Sequence, residues 1–187
     1  MHVIGVLTHP RSTIAALSTA ASAQRGALVV AASGAVCALI SLGITGLERS
    51  GMFGIVTSLL IPPLFLAYWM AQAWLIDAGA RLLRRGDRVR FLAVSGHVFP
   101  AWVGYALVNL GGAAATAALG SASALAVALG VLALPVLIWI LVLTVIAIHD
   151  VYDVPPLNAF ALALLPYAAL SFAVLLLGAT AGAIRGT

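Results

Sequence analysis

Five long runs of this chain, 27–47, 52–76, 91–115, 122–148 and 157–184, contain no Asp, Glu, Lys or Arg. A helix rises about 1.5 Å per residue and the hydrocarbon of a bilayer is about 30 Å thick, so a crossing takes about 20 mainly apolar residues. Each run meets that length. Backbone N–H and C=O groups find no water in lipid, so each run must satisfy its own hydrogen bonds as a helix. The expectation is an all-α fold, a polytopic membrane bundle of five transmembrane helices. Only short segments join the runs, which leaves no room between them for a soluble domain. The composition agrees, because a chain that is 64% hydrophobic and 7% charged has too little polar surface to cover a soluble globule.

The charges are spent unevenly. The stretch "IDAGARLLRRGDRVR" (76–90) holds seven of the fourteen charged side chains and five of the nine arginines, and there is no lysine. The net charge of +4 would suggest nucleic acid in a soluble protein. Here the arginines lie in short inter-helix segments, so no nucleic-acid partner is expected. Arginine bias instead sets orientation. With the N-terminus inside, Arg11, Arg25 and the five arginines of 81–90 are cytoplasmic, against Arg49 and Arg185 outside. The expected location is a prokaryotic inner (cytoplasmic) membrane, with the N-terminus cytoplasmic and the C-terminus outside.

Residues 1–25 read as a cytoplasmic juxtamembrane amphipathic segment and 26–187 as the five-helix transmembrane domain. The N-terminus is too interrupted by polar residues and proline to be a cleaved signal peptide. Pro10 suits a first helical position, and Ile14, Leu17 and Ala21 follow at helical spacing. This predicts a short interfacial amphipathic helix whose small apolar face needs the bundle as a partner.

Two polar clusters fall at the cytoplasmic side. Gly86 is a natural helix-ending residue and Asp87 a natural cap for the next helix. Counted from Gly86, Asp77 and His97 sit at similar depth, roughly 14 and 17 Å below the hairpin tip. Asp77 stands four residues before Arg81, the spacing of a helical ion pair. Asp77, Arg81 and His97 are therefore a candidate intramembrane polar network. It serves either proton or ion handling or the neutralisation of Arg81 that ties two helices together. His149, Asp150 and Asp153 form a candidate loop cluster. Its spacing is too loose to name a metal, so none is expected, and its aspartates should face the arginines of the neighbouring loop. Arg84, Arg85, Arg88 and Arg90 are candidate contacts for anionic lipid headgroups, worth about 1 kcal/mol each.

Prolines in every span after the first (Pro62 and Pro63, Pro100, Pro135, Pro166) predict kinks, or a break near Pro62. Gly178 and Gly182 make a GxxxG pair suited to close helix approach. Tyr68, Trp69, Trp74, Trp102 and Tyr105 read as interfacial or packing aromatics, and Cys37 as a small buried hydrophobe.

Three stretches, "THPRSTIAAL", "YWMAQAWLIDAGARLLRRGDRVRFLAVSGHVFPAW" and "IHDVYDVPPLNAFALALLP", give the chain a resemblance to the prokaryotic branch of the Yip (Ypt-interacting protein) family of five-span membrane proteins. The resemblance implies five helices and a cytoplasmic N-terminus. In eukaryotic relatives it also implies binding of Rab-type GTPases and a part in vesicle traffic. Their long hydrophilic N-terminal region has no counterpart here, so GTPase binding is not carried over.

No HExxH, GxSxG, phosphate-binding loop or paired intramembrane aspartates occur. The expectation is a non-enzymatic protein without cofactors that acts through protein or lipid contacts, as an accessory subunit or membrane organiser. Its candidate partners are membrane lipids, another membrane protein or further copies of itself. The alternative is a small transporter or channel for protons, ions or lipids, using Asp77, His97 and Asn109.

Overall fold

The computed structural model describes the backbone of residues 2–20, 22–83 and 86–185, and the side chains of 4–19, 22–83 and 86–172. Among them there are helices and no strand. Two short helices, α1 (His2–Thr8) and α2 (Pro10–Ala20), precede α3 (Ala23–Glu48) and α4 (Gly51–Leu82). Next come α5 (Arg88–Ser95), a 3-10 turn (Gly96–Val98) and α6 (Pro100–Leu119), followed by α7 (Ala124–Tyr152) and α8 (Pro156–Arg185).

Four stretches are long and apolar enough to cross a membrane: α3, α4, Arg88–Leu119 and α7. Their surfaces carry a belt of large apolar side chains that no other part of the described chain covers, including Leu39, Leu59, Leu64, Val131 and Ile138. Within the described residues, helix α8 is apolar along Pro156–Phe172. The side chains of 173–184 in the expected fifth span, Gly178 and Gly182 among these residues, lie outside the described set.

Local chemistry sets the helix ends. Ser22 caps α3 by accepting from the Arg25 N–H, and Ser123 caps α7 by accepting from the Ala126 N–H. Arg49 and Asp153 end α3 and α7 in the left-handed conformation, at φ 54° and 50°. Asp87 caps α5 as its position predicts, accepting from the Arg90 N–H at 3.1 Å. Gly86 is not the residue that ends α4, because that helix stops earlier, at Leu82 with Leu83 as its cap.

The expected break near Pro62 is absent: α4 runs unbroken from Gly51 to Leu82. Gly34 of α3 faces this point so closely that a Cβ on it would sit 2.9 Å from the Pro62 Cα. Packing that tight supports the helix on both sides of the proline pair. The third span instead interrupts itself one turn earlier than its proline, at Gly96–Val98, and Pro100 opens α6 as an N-terminal helical residue.

The core is concentrated at one end of the bundle. Ile14 and Leu17 of α2, Ile76 of α4, Phe91 and Val94 of α5, and Leu143 and Ile148 of α7 are all buried there. Helix α2 packs on α5 and α7. Its apolar residues Ile14 and Leu17 face protein, at 0% and 5% exposure. Ala21 lies outside the described residues. Helix α1, which the sequence pattern did not predict, adds the fully buried Val6.

Candidate functional site

The packed end brings together the α4–α5 connection, the α7–α8 connection and the N-terminal helices. Asp77 sits in the last turns of α4 at 3% exposure. Its Oδ2 accepts from the Arg81 Nε at 2.8 Å, the ion pair expected from the i,i+4 spacing. Its Oδ1 accepts from the Tyr152 hydroxyl at 3.4 Å. The Arg81 side chain is 68% exposed, so the guanidinium reaches outward while the carboxylate stays inside. The pair thus neutralises a buried charge and, through Tyr152, ties α4 to α7. Tyr152 also packs against Phe91 of α5, with ring centroids 5.6 Å apart.

His97 lies in the 3-10 turn, buried, with Nδ1 3.0 Å from the Ala93 carbonyl. A carbonyl only accepts, so Nδ1 carries the proton in that bond. Asn109 does not join this end. It donates to the Tyr105 carbonyl at 2.9 Å and lines a shallow cavity with Glu48 and Thr116.

The loop cluster divides its tasks. His149 places Nδ1 2.6 Å from the Val154 carbonyl and so closes the end of α7. Asp153 is the exposed left-handed residue that ends that helix. Asp150 is half-buried, and among the described residues its Oδ2 has no hydrogen-bond partner; burial works against its charge, and the nearby Arg11 and Arg90 offset that only in part. The end of α7 that carries Asp150 thus lies beside Arg11 of α2 and Arg90 of α5. No group of three His, Cys, Asp or Glu among the described residues is placed to hold a metal ion.

Of the headgroup candidates, Arg84 and Arg85 lie outside the described residues and Arg88 is exposed. Arg90 is half-buried and turns inward, donating from Nε to the Ser18 carbonyl at 2.9 Å and from Nη2 to the Ser18 hydroxyl at 3.0 Å. That pair of bonds pins α2 to α5.

Sequence reasoning missed a polar seam deeper in the bundle. Tyr68, Gln72, Ser95, Thr144 and Tyr167 border a narrow space between α4, the α5–α6 stretch, α7 and α8. Beside it, the Trp69 indole donates to the Ser95 hydroxyl at 3.0 Å. Gln72 was the available signal, as an amide inside an apolar run. Further along α3 and α4, the Ser41 and Ser58 hydroxyls pair at 2.8 Å. Each of these cross-helix bonds joins two helices at a fixed register. The chain matches no family model, no curated protein and no solved structure.

Proposed function

We propose that this chain is a non-enzymatic, Yip-like membrane protein of five spans that acts by contact, as an accessory subunit or membrane-organising protein. In this reading the N-terminus is cytoplasmic, the membrane is a prokaryotic inner membrane, and α8 supplies the fifth crossing. The observation that supports it most is how the polar groups are used. Asp77, Tyr152, Trp69, Ser95, Arg90 and Ser18 are engaged in holding helices together. What remains for other molecules, among the described residues, is the apolar belt with the exposed cations and the Asp150 carboxyl at the packed end. Purification from native membranes in mild detergent tests it. The expected result is a stoichiometric protein partner or a tightly held lipid.

The second reading is a small transporter or channel for protons, ions or lipids. In its favour, two ionisable side chains, Asp77 and His97, are buried at 3% and 6% exposure. Burial of that kind is costly and often functional. Proton or ion flux in reconstituted vesicles that Asp77→Asn abolishes would establish this reading in place of the first.

A further inference from the structure

A groove of about 810 Å³ runs between α2, α7 and α8. Its floor is apolar and its length follows α7, with Ile138, Leu141, Val142 and Val145 from that helix and Phe160 from α8. At the packed end its wall changes character, to Arg11 and Ser12 of α2 with His149 and Asp150 of α7. Ile138 is 61% exposed and Phe160 43%, so the groove opens sideways onto the belt that faces lipid.

We propose that this groove is a binding site for one glycerophospholipid with an ethanolamine headgroup, which rests on the reading of the chain as a membrane protein acting by contact. The apolar length suits an acyl chain, because the medium beside it is hydrocarbon. The polar end carries both signs of charge. The Arg11 guanidinium is a donor for a phosphate oxygen. Asp150 lines the same end of the groove, with its Oδ2 buried and without a hydrogen-bond donor among the described residues, so the ligand meets the carboxylate from its other, groove-side edge. A primary ammonium supplies N–H donors to that carboxylate, separated from its phosphate by two carbons. His149 commits Nδ1 to Val154, so Nε2 is the ring nitrogen left towards the groove. A glycerol headgroup offers hydroxyl donors but no positive charge, so nothing in it offsets the charge of Asp150. A choline headgroup fits the charges but has no N–H to give.

Native mass spectrometry of the full chain in mild detergent, with equimolar ethanolamine, choline and glycerol phospholipids of identical acyl chains, tests the site. One ethanolamine lipid should be retained per chain, over either competitor by roughly tenfold or more, the range of one charge-assisted hydrogen bond. Asp150→Asn should erase the preference for ethanolamine over choline, and Arg11→Gln should weaken all three lipids. Val142→Trp, at a partly exposed position, should fill the groove and displace the lipid with helix content unchanged by circular dichroism. Equal retention of the three lipids overturns the proposal, as does a preference that survives both Asp150→Asn and Val142→Trp. If a protein partner co-purifies while the lipids are retained equally, only the lipid site falls. If ethanolamine lipid is selected but the chain purifies alone and shows flux that depends on Asp77, the site stands and the contact reading falls.

Discussion

Gly96 lies against Gly26 so closely that a Cβ on Gly96 would come within 2.6 Å of the Gly26 Cα and carbonyl oxygen. The reverse also holds, since a Cβ on Gly26 would meet the Leu92 carbonyl at 2.7 Å. Backbone atoms rather than flexible side chains fill both spaces, so neither helix can give way locally. This contact is where α3 crosses the break between α5 and α6. Gly96→Ala and Gly26→Ala should each destabilise the protein by about 1–3 kcal/mol through overpacking. Gly104→Ala, whose Cβ meets nothing within 4 Å, should be neutral or slightly stabilising through helix propensity. Thermal unfolding in detergent compares the three, and equal midpoints for Gly96→Ala and Gly104→Ala would refute the crossing.

The buried carboxylate of Asp77 should matter most as an acceptor. Asp77→Asn still offers Tyr152 an oxygen, whereas Asp77→Ala leaves the buried hydroxyl without one, at a cost of about 1–3 kcal/mol. Tyr152→Phe removes the donor but keeps the ring against Phe91, and should cost about 0.5–1.5 kcal/mol, towards the low end given the 3.4 Å separation. The expected order of loss is therefore Asp77→Ala above Asp77→Asn. Equal losses for the two variants, both of which lack the charge, would show that the charge, rather than the hydrogen bond to Tyr152, is what the fold uses.

Arg90→Met removes both bonds to Ser18, while Ser18→Ala removes only the one at its hydroxyl. Hydrogen exchange across residues 10–20 should therefore rise strongly in the first variant and slightly in the second, with α7 little changed. Unaltered exchange in Arg90→Met would mean that the burial of Ile14 and Leu17 holds α2 by itself.

Tryptophan burial distinguishes lipid-facing from internal positions. Trp74 is 60% exposed and Trp139 38%, but Trp69 is 4% exposed and bonded to Ser95. In variants that keep one tryptophan each, brominated lipid should quench Trp74 and Trp139 and leave Trp69 bright. Strong quenching of Trp69 would place lipid where the structure places protein.

Orientation is checked by labelling a Cys37→Ala background with a membrane-impermeant maleimide. Ser50→Cys, beyond α3, should react in intact cells, and Ala16→Cys on α2 only after lysis; the opposite pattern reverses the topology.

How much of this was legible in sequence follows from the distance over which each feature is specified. The Asp77–Arg81 pair and the Asp87 cap each depend on residues within four positions, and both stand where the spacing put them. Tyr152 is 75 residues from Asp77, and nothing local announces their meeting. The same holds for Arg90: as one of five arginines in a loop it reads as a headgroup contact, and only the placement of α2 gives it Ser18 as a partner. Pro62 and Pro63 mark a weak point in an isolated helix, but the approach of Gly34 is a property of the pair α3 and α4.

The sequence by itself determined the helical, membrane-compatible character of the chain, because apolar run length and the need to satisfy backbone hydrogen bonds act residue by residue. It also set two helix starts, at Pro10 for α2 and at Asp87 as the cap of α5. Tertiary structure alone decided that α2 meets α5 and α7 in particular, that Asp77 answers to Tyr152, and that α2, α7 and α8 leave a groove with charges of both signs at one end. Those outcomes depend on which side chains meet across helices, and helical periodicity fixes the face a residue occupies without fixing what that face will touch.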